Sequence, residues 1–281
     1  MASSAAHPIW YVYGIVPSAF SPMTLPSGLD DAQVTIERHS GARAAALVSL
    51  LDGQRYAPPA LEATSGDVEW LSPRAVAHDR VLTWASDLGT VVPLPMFSLF
   101  SGRDAVHAML GERSSQLESA LERLARGREY ALRVYRVNRE LLGAIASLSP
   151  QLAQLADMAK DASPGQRYLL ERKLETEKKS ELRAVTLHLV DDIVDELRMC
   201  SVDHVRSPIP RISDTDVGAS RGVMVLNAAF FVAPDAFEAF QKTLTSLIER
   251  HAEHGLRFDF TGPWPPYHFA GTSEEAAHDD A

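Results

Sequence analysis

The stretch Gly222-Val-Met-Val-Leu-Asn-Ala-Ala-Phe-Phe-Val232 predicts a strong β-strand, and the elements around it decide the fold of the C-terminal half. Valine and phenylalanine, which are enriched in strands, recur along it. Together with Ala233 it is the longest nearly unbroken apolar run of the chain, but Asn227 interrupts it. The run is also shorter than the roughly 20 residues that a membrane-spanning helix needs. We therefore expect a core strand and no contact with a membrane.

The quoted strand is part of a series of predicted elements that begins at Arg128 and has the order β-α-β-β-α-β. They are a strand over 128–138, a helical region, a strand over 205–212, a turn at 213–220, the strand quoted above, a helix from Pro234 to about His254 and a last strand over 256–261. This order is the split βαβ, or ferredoxin-like, arrangement. We predict an α+β protein in which residues 128–262 form a ferredoxin-like domain.

A single long helix is predicted within the helical region. From Pro164 onward, leucine, valine and isoleucine recur at steps of three or four residues as far as Leu197. A helix of this extent is on the order of 50 Å long, so its first half should project from the core. That half carries the charged residues Glu175, Glu177, Lys178, Lys179 and Glu181. They are interpreted either as a solvated helix face or as a partner surface.

The N-terminal half, residues 1–127, is predicted to be a mixed α+β domain. The pattern indicates strands over 9–16, 34–39 and 44–51, the last two as a hairpin, a surface loop over 52–66, a helix over 73–88, an irregular extended segment over 91–100 and a helix over 103–126. Ser72 is predicted to cap the first of these helices, with Pro73 in its first turn. Residues 263–281 are predicted to be an aromatic and proline-rich tail with a disordered end.

Composition excludes several classes of function. The net charge of −10 argues against nucleic acid as a partner, because no cluster of Lys and Arg forms a stripe that could override the repulsion from phosphates. The segment Met1–His7 lacks the features of a secretory signal, so a cytoplasmic protein is expected. Cys200 is the only cysteine, which excludes an internal disulfide and predicts a buried, inert thiol.

No catalytic residue, cofactor or metal is predicted. The common nucleotide-binding and hydrolase motifs are absent from the sequence. His251 and His254 are three residues apart near a helix end, a spacing that suits a metal, but no third ligand is marked. A solvated helix end that favours partly charged histidine is the preferred interpretation.

One segment stands apart by composition, the proline and aromatic strip Gly262-Pro-Trp-Pro-Pro-Tyr-His-Phe269. Its prolines restrict the backbone, and its aromatic rings offer broad apolar faces. The candidate binding residues are Pro263, Trp264, Pro265, Pro266, Tyr267 and Phe269. The strip is expected to fold back and hold the C-terminus across the two domains, or to dock onto a partner.

The chain resembles the gas vesicle GvpL/GvpF family. The blocks that carry the resemblance are Tyr11–Val16, His78–Phe100, Gly127–Tyr130, Gly165–Tyr168 with Lys173, Val225–Val232 and Thr261–Phe269. The last block is the most distinctive. The chain departs from the family at Met96-Phe-Ser-Leu99, where relatives usually have Arg-Phe-Gly-Thr.

The resemblance implies a two-domain α+β protein that is required for making gas vesicles and has no catalytic activity. It also implies two kinds of partner, the small hydrophobic gas vesicle shell protein and other gas vesicle accessory proteins. An assembly or minor structural protein located at the gas vesicle is therefore expected. Two other hypotheses remain, a ferredoxin-like regulatory module that binds a small ligand, and a hydrolase that uses a histidine and an aspartate.

Overall fold

The structure is a computed structural model that describes residues 8–64, 66–209 and 222–271 of the 281-residue chain. The chain divides into two compact units. Unit 1 consists of Met1–Arg128 and Trp264–Ala281, and unit 2 of Glu129–Pro263. The predicted turn at 213–220 and the predicted disordered end, from residue 272 on, lie outside the described residues, as do residues 1–7.

In its described residues, unit 1 is built on an antiparallel sheet with four α-helices. Its elements are β1 (Ile9–Pro17), β2 (Thr35–Arg38), β3 (Ala44–Leu51), α1 (Pro58–Thr64), α2 (Val68–Leu88), β4 (Val92–Pro93), β5 (Leu99–Phe100), α3 (Arg103–Glu112) and α4 (Ser114–Leu124). The strand order is β2-β3-β1-β4, and β5 also pairs with β1. The predicted hairpin is confirmed, because β2 and β3 are antiparallel with Ile36 opposite Leu47.

Strand β1 lies at the centre of unit 1 and accounts for much of its core. Tyr11, Tyr13 and Val16 on β1 pack with Leu47 on β3 and Leu82 on α2. The β1–β3 register shifts at a bulge between Val12 and Gly14. A Cβ atom at Gly14 would lie only 2.8 Å from the carbonyl oxygen of Val92, so the close approach of β4 requires glycine at this position.

Two predictions before and at α2 were wrong. Helix α1 forms within the predicted loop over 52–66, because Pro58 and Pro59 occupy first-turn positions where no amide donor is needed. Helix α2 begins at Val68 instead of Pro73. Its N-cap is Asp67, whose carboxylate accepts hydrogen bonds from the amides of residues 69 and 70 at 3.0 and 3.1 Å. Pro73 therefore lies inside the helix.

The single helix predicted over 103–126 is two helices. Arg113 separates them, with φ −100° and ψ 14°. Its amide bonds back to the carbonyl of Met109, and its own carbonyl accepts from the amide of Leu117. Val106 and Leu117 are both buried. The apolar periodicity therefore predicted the buried residues correctly, although the segment forms two helices.

Unit 2 has the predicted ferredoxin-like order with an enlarged first helical region. Its elements are β6 (Arg128–Arg136), α5 (Asn138–Leu148), α6 (Pro150–Lys160), α7 (Pro164–Arg198), β7 (Asp203–Arg206), β8 (Val223–Val232), α8 (Phe237–Ala252) and β9 (Leu256–Trp264). The sheet order is β7-β8-β6-β9, and β7 and β8 are antiparallel. This order is the one expected of a ferredoxin-like sheet and confirms the predicted α+β class.

The core of unit 2 lies between this sheet and helices α5 to α8. Leu132 on β6, Phe230 on β8, Ile193 on α7 and Phe240 on α8 are all fully buried in it. The long helix α7 has 35 residues, and its fully buried side chains begin only at Val185. Leu174 in its first half and Leu182 near its middle are only partly buried against the core, and the helix also contacts α5 and α6.

The boundaries of two strands and the burial of Cys200 in unit 2 differ from the prediction. Strand β7 ends at Arg206, and residues 210–212 of the strand predicted over 205–212 lie outside the described residues. Strand β9 continues to Trp264, so the proline and aromatic strip begins inside a strand. Cys200 is half-buried instead of buried, with its Sγ 3.6 Å from Oγ1 of Thr243.

Candidate functional site

The proline and aromatic strip packs against unit 1. Pro265, Pro266 and Phe269 are buried, whereas Trp264 is 39% and Tyr267 41% exposed. Pro263, the last residue of unit 2, is exposed and follows a cis peptide bond. Half of the six candidate residues predicted for a partner are thus buried within the chain, and the other half are exposed.

Two polar side chains fasten the strip to helices of unit 1. The hydroxyl of Tyr267 donates to Oδ1 of Asp79 on α2 at 2.7 Å. The guanidinium of Arg123 on α4 donates to the carbonyl oxygens of Phe269 and Gly271 at 2.5 and 3.0 Å. Sequence reasoning missed both Asp79 and Arg123, because neither lies near the strip in the sequence.

A buried tyrosine–histidine pair supports the segment in which the chain departs from the family pattern. The Tyr11 hydroxyl and Nδ1 of His78 are 2.7 Å apart, and the amide of Phe97 donates to the same hydroxyl at 3.3 Å. Burial lowers the pKa of His78 and raises that of Tyr11. Both groups are therefore neutral near pH 7, which suits a structural role.

Phe97 itself has a left-handed backbone conformation, with φ 66°. Its ring stacks on Trp70 at 5.7 Å and meets Tyr11 edge to face at 6.3 Å. These contacts explain how a phenylalanine is held in a region that favours glycine or asparagine.

A second polar cluster joins the loop before β2 to helix α2. Asp30 accepts hydrogen bonds from Arg74 at 2.7 Å, Tyr56 at 2.8 Å and Arg55 at 3.0 Å. Burial opposes ionisation of Asp30, but the Tyr56 hydrogen bond and the charge of Arg74 outweigh it and lower its pKa. Arg74 also lies 4.1 Å above the Trp70 ring. Every group has a partner, so the cluster is best understood as a structural anchor.

The connection between α6 and α7 carries an exposed apolar cluster in unit 2. Met158, Tyr168 and Leu169 are 54%, 63% and 65% exposed, and we call them the tip cluster. Met158 and Leu169 line a cavity of about 620 Å³, and Tyr168 is the sequence neighbour of Leu169. The lining of the cavity consists of Met158, Asp161, Ala162, Gln166, Leu169 and Leu170.

This connection is held firmly despite its exposure. The Ser163 hydroxyl and amide donate to Oε1 of Gln166 at 2.9 and 3.4 Å, which closes the first turn of α7. The Arg167 guanidinium donates to the carbonyls of Ala159 and Lys160 at the end of α6, both at 3.1 Å. The apolar side chains of the tip cluster are therefore displayed on an ordered support. Only Tyr168 lies in a block that carries the family resemblance; Met158 and Leu169 are revealed by their exposure alone.

Most of the charged residues predicted as a partner surface on α7 bind other residues of the chain. Glu175 pairs with Lys178 at 2.5 Å, and Glu177 with Lys173 at 3.6 Å. Glu181 accepts from the Ser149 hydroxyl at 3.2 Å. Lys179 is exposed and has no ion pair within the described ranges.

The histidines considered as metal ligands contact each other. The Nδ1 atoms of His251 and His254 are 3.3 Å apart, and Nε2 of His251 is buried without a hydrogen-bond partner in the described structure. Burial and the neighbouring His254 lower the pKa of His251. Across residues 8–64, 66–209 and 222–271, no group of three or more His, Cys, Asp or Glu side chains is placed to hold a metal ion.

Comparison with known proteins places these features in a family. The family model described as "Gas vesicle synthesis protein GvpL/GvpF" matches residues 9–271. The chain belongs to the GvpL/GvpF family. The match spans both units, including the strip as far as Gly271.

Two relatives within the GvpL/GvpF family come from Streptomyces sp. (strain CB03234). Gas vesicle protein L is 30% identical over 222 residues, which cover 78% of this chain and 77% of the relative. Gas vesicle protein F is 27% identical over 263 residues, which cover 92% of this chain and 98% of the relative.

Crystal structures of GvpF proteins share the fold. The protein from Anabaena sp. PCC7120 superposes with a TM-score of 0.67 at 20% identity, over 95% of this chain and 97% of that one. The protein from Microcystis aeruginosa gives a TM-score of 0.61, also at 20% identity, over 94% and 99% of the two chains. Among the described residues, no helix has the length and apolarity needed to cross a membrane.

Proposed function

We propose that this GvpL/GvpF protein binds the hydrophobic shell subunit of the gas vesicle and covers its apolar surface during assembly. Apolar, strand-rich surfaces aggregate unless another protein covers them. The protein then acts as an assembly factor or a minor structural component, and other accessory proteins are further partners. Membership of a gas vesicle synthesis family supports this role.

The single structural observation that carries the proposal is the tip cluster. Two large exposed apolar side chains, Met158 and Leu169, line a cavity where α6 and α7 meet, and the exposed Tyr168 is next to Leu169 in the sequence. Contiguous exposed apolar surface rimmed by polar residues is typical of sites that bind other proteins. The shell subunit offers the complementary chemistry, an apolar surface that needs cover.

Two other surfaces are less suited to this task. Half of the candidate residues of the strip, Pro265, Pro266 and Phe269, are buried, and the exposed Tyr267 is bonded to Asp79. Strand β2 lies at an edge of its sheet, but it carries Glu37 and Arg38. Glu37 is tied to Arg103 at 2.9 Å, and charged side chains on edge strands discourage pairing with another chain.

The test is retention of purified shell subunit in solution by the purified full-length protein. Met158→Asp combined with Leu169→Asp should abolish retention, because each change places a charge in the apolar contact. The matched control is Val68→Asp with Val76→Asp, two exposed valines of α2 at 71% and 67% exposure. The control pair should retain the shell subunit as the intact protein does.

A third variant, Trp264→Ala with Tyr267→Ala, probes the strip. It should retain the shell subunit if the tip cluster is the contact. Failure of the intact protein to bind would refute shell binding, whereas loss only in the strip variant would move the contact to the strip.

A further inference from the structure

The outward face of α7 carries basic side chains in helical register. Arg172, Lys179 and Arg183 are all exposed, and Leu187 follows them at 54% exposure. At about 100° per residue, these four positions fall within about 80° of the helix circumference. We call Arg172, Lys179 and Arg183 the basic face of α7. With Leu187 it extends over about 22 Å at 1.5 Å per residue.

These basic groups lack the carboxylate partners that their neighbours have. In the part of the chain that the structure describes, none of the three forms an ion pair, whereas Lys173 and Lys178 each do. Between residues 164 and 183 the sequence has six basic and four acidic side chains, although the whole chain has a net charge of −10. A local positive stripe thus stands on a negatively charged protein.

We infer that the basic face of α7 is a docking surface for an acidic amphipathic helix of a partner protein. Carboxylates spaced at seven and four residues on the partner helix would face Arg172, Lys179 and Arg183. An apolar residue near its end would pack on Leu187. Charge complementarity is what selects this partner, because the face itself is more charged than apolar.

A second copy of the chain fits this face less well. The acidic residues further along α7, which a second copy could offer, are engaged within the chain: Asp191 pairs with Arg206 at 2.7 Å, and Glu196 pairs with Arg250. The inference goes beyond the proposed function, since it does not require the shell subunit to be the partner.

The experiment uses two synthetic helical peptides of about 18 residues, long enough to span the face. Both carry the same apolar residues, and the flanking positions are glutamate in one and lysine in the other. Binding to the full-length protein is followed by fluorescence anisotropy. The glutamate peptide should bind about tenfold more tightly than the lysine peptide, as three exposed ion pairs allow, and the difference should shrink at high salt.

A charge-reversal variant makes the test specific. Arg172→Glu, Lys179→Glu and Arg183→Glu together should invert the preference, so that the lysine peptide binds more tightly. The control variant, Arg43→Glu with Arg126→Glu and Arg139→Glu, changes the net charge equally at three exposed arginines elsewhere. It should keep the preference for the glutamate peptide.

Four results would overturn the inference: no saturable binding, equal affinity for both peptides, an inverted preference in the control variant, or dimerisation of the intact protein that the triple reversal abolishes. The last result would make the face an interface between copies. Shell retention by the triple-reversal variant is measured in parallel. If this variant still retains the shell subunit but prefers the lysine peptide, the basic face of α7 and the tip cluster are separate binding surfaces.

Discussion

The hydroxyl of Tyr267 donates to the carboxylate of Asp79 at 2.7 Å and joins the C-terminal strip to helix α2. The two residues are 188 positions apart in the sequence. Because Tyr267 is 41% exposed, the bond is open to solvent and should be of modest strength. Tyr267→Phe tests its contribution.

We expect Tyr267→Phe to lower the free energy of unfolding by about 1 kcal/mol, the usual value of a hydrogen bond between side chains. Urea unfolding followed by fluorescence measures the change. Tyr168→Phe is the matched control, since Tyr168 is 63% exposed and lies far from the strip in sequence. Equal effects of the two substitutions would contradict a stabilising role for the Tyr267–Asp79 bond.

Removal of the Phe269 ring should have a larger effect. Phe269 is only 4% exposed, so Phe269→Ala leaves a cavity and should destabilise the protein by about 3 kcal/mol. The strip should then become a site of limited proteolysis. Met23→Ala, at a fully exposed position, is the control and should change neither property. An unaltered proteolysis pattern in Phe269→Ala would argue that the ring does not hold the strip.

The Asp30–Arg74 pair predicts a contrast between partly buried and exposed ion pairs. The Arg74 side chain is 10% exposed and that of Asp30 28%, so Asp30→Ala leaves a guanidinium largely removed from water. We expect a loss of about 2 kcal/mol in the free energy of unfolding. Asp157→Ala breaks a pair with Lys160 in which both side chains are more than 70% exposed, and it should leave the free energy of unfolding nearly unchanged. Similar losses would refute the structural role of Asp30.

Two buried histidines predict destabilisation by acid. Burial lowers the pKa of His78 and of His251 in the folded protein. The unfolded chain, with a histidine pKa near 6.5, then binds more protons than the folded chain does. The folded protein therefore has its full stability above about pH 6.5, where both histidines are neutral in the folded and the unfolded chain. This stability is lost as the pH falls through and below that value.

Urea unfolding between about pH 5 and pH 8 measures this loss. The slope of stability against pH should become smaller in His251→Asn, which cannot be protonated in this range. His188→Asn, at a residue with a 75% exposed side chain, is the control and should keep the slope of the intact protein. An unchanged slope in His251→Asn would remove His251 from the explanation.

The local elements follow from the sequence because their signals are local. Alternating or continuous apolar runs marked β1, β3, β6 and β8, and steps of three and four residues marked α7. The errors arose where a single side chain or the backbone angles of a single residue set the end of a helix. The carboxylate of Asp67 starts α2 earlier than Pro73 does, and the backbone angles at Arg113 divide one periodic segment into two helices.

The strip illustrates the limit of sequence reasoning about sites. Its composition marked the family and indicated an extended, apolar segment. Its placement depends on Arg123, which is 146 residues from Phe269, and on Asp79. The charged run of α7 is a similar case, because pairing within the chain removes most of its residues and leaves Lys179 with Arg172 and Arg183 as the outward basic groups.

The sequence by itself determined the α+β class, the ferredoxin-like order of unit 2, the length of α7 and the family resemblance. Each depends on the periodicity of apolar residues or on short sequence blocks. Periodicity predicts helices and strands because it places apolar side chains on one face, where they can be buried. Only the tertiary structure decided where the strip packs, which charges on α7 remain outward, and that Met158 and Leu169 meet beside a cavity. Those features depend on the packing of residues far apart in the chain, and no local pattern encodes such contacts.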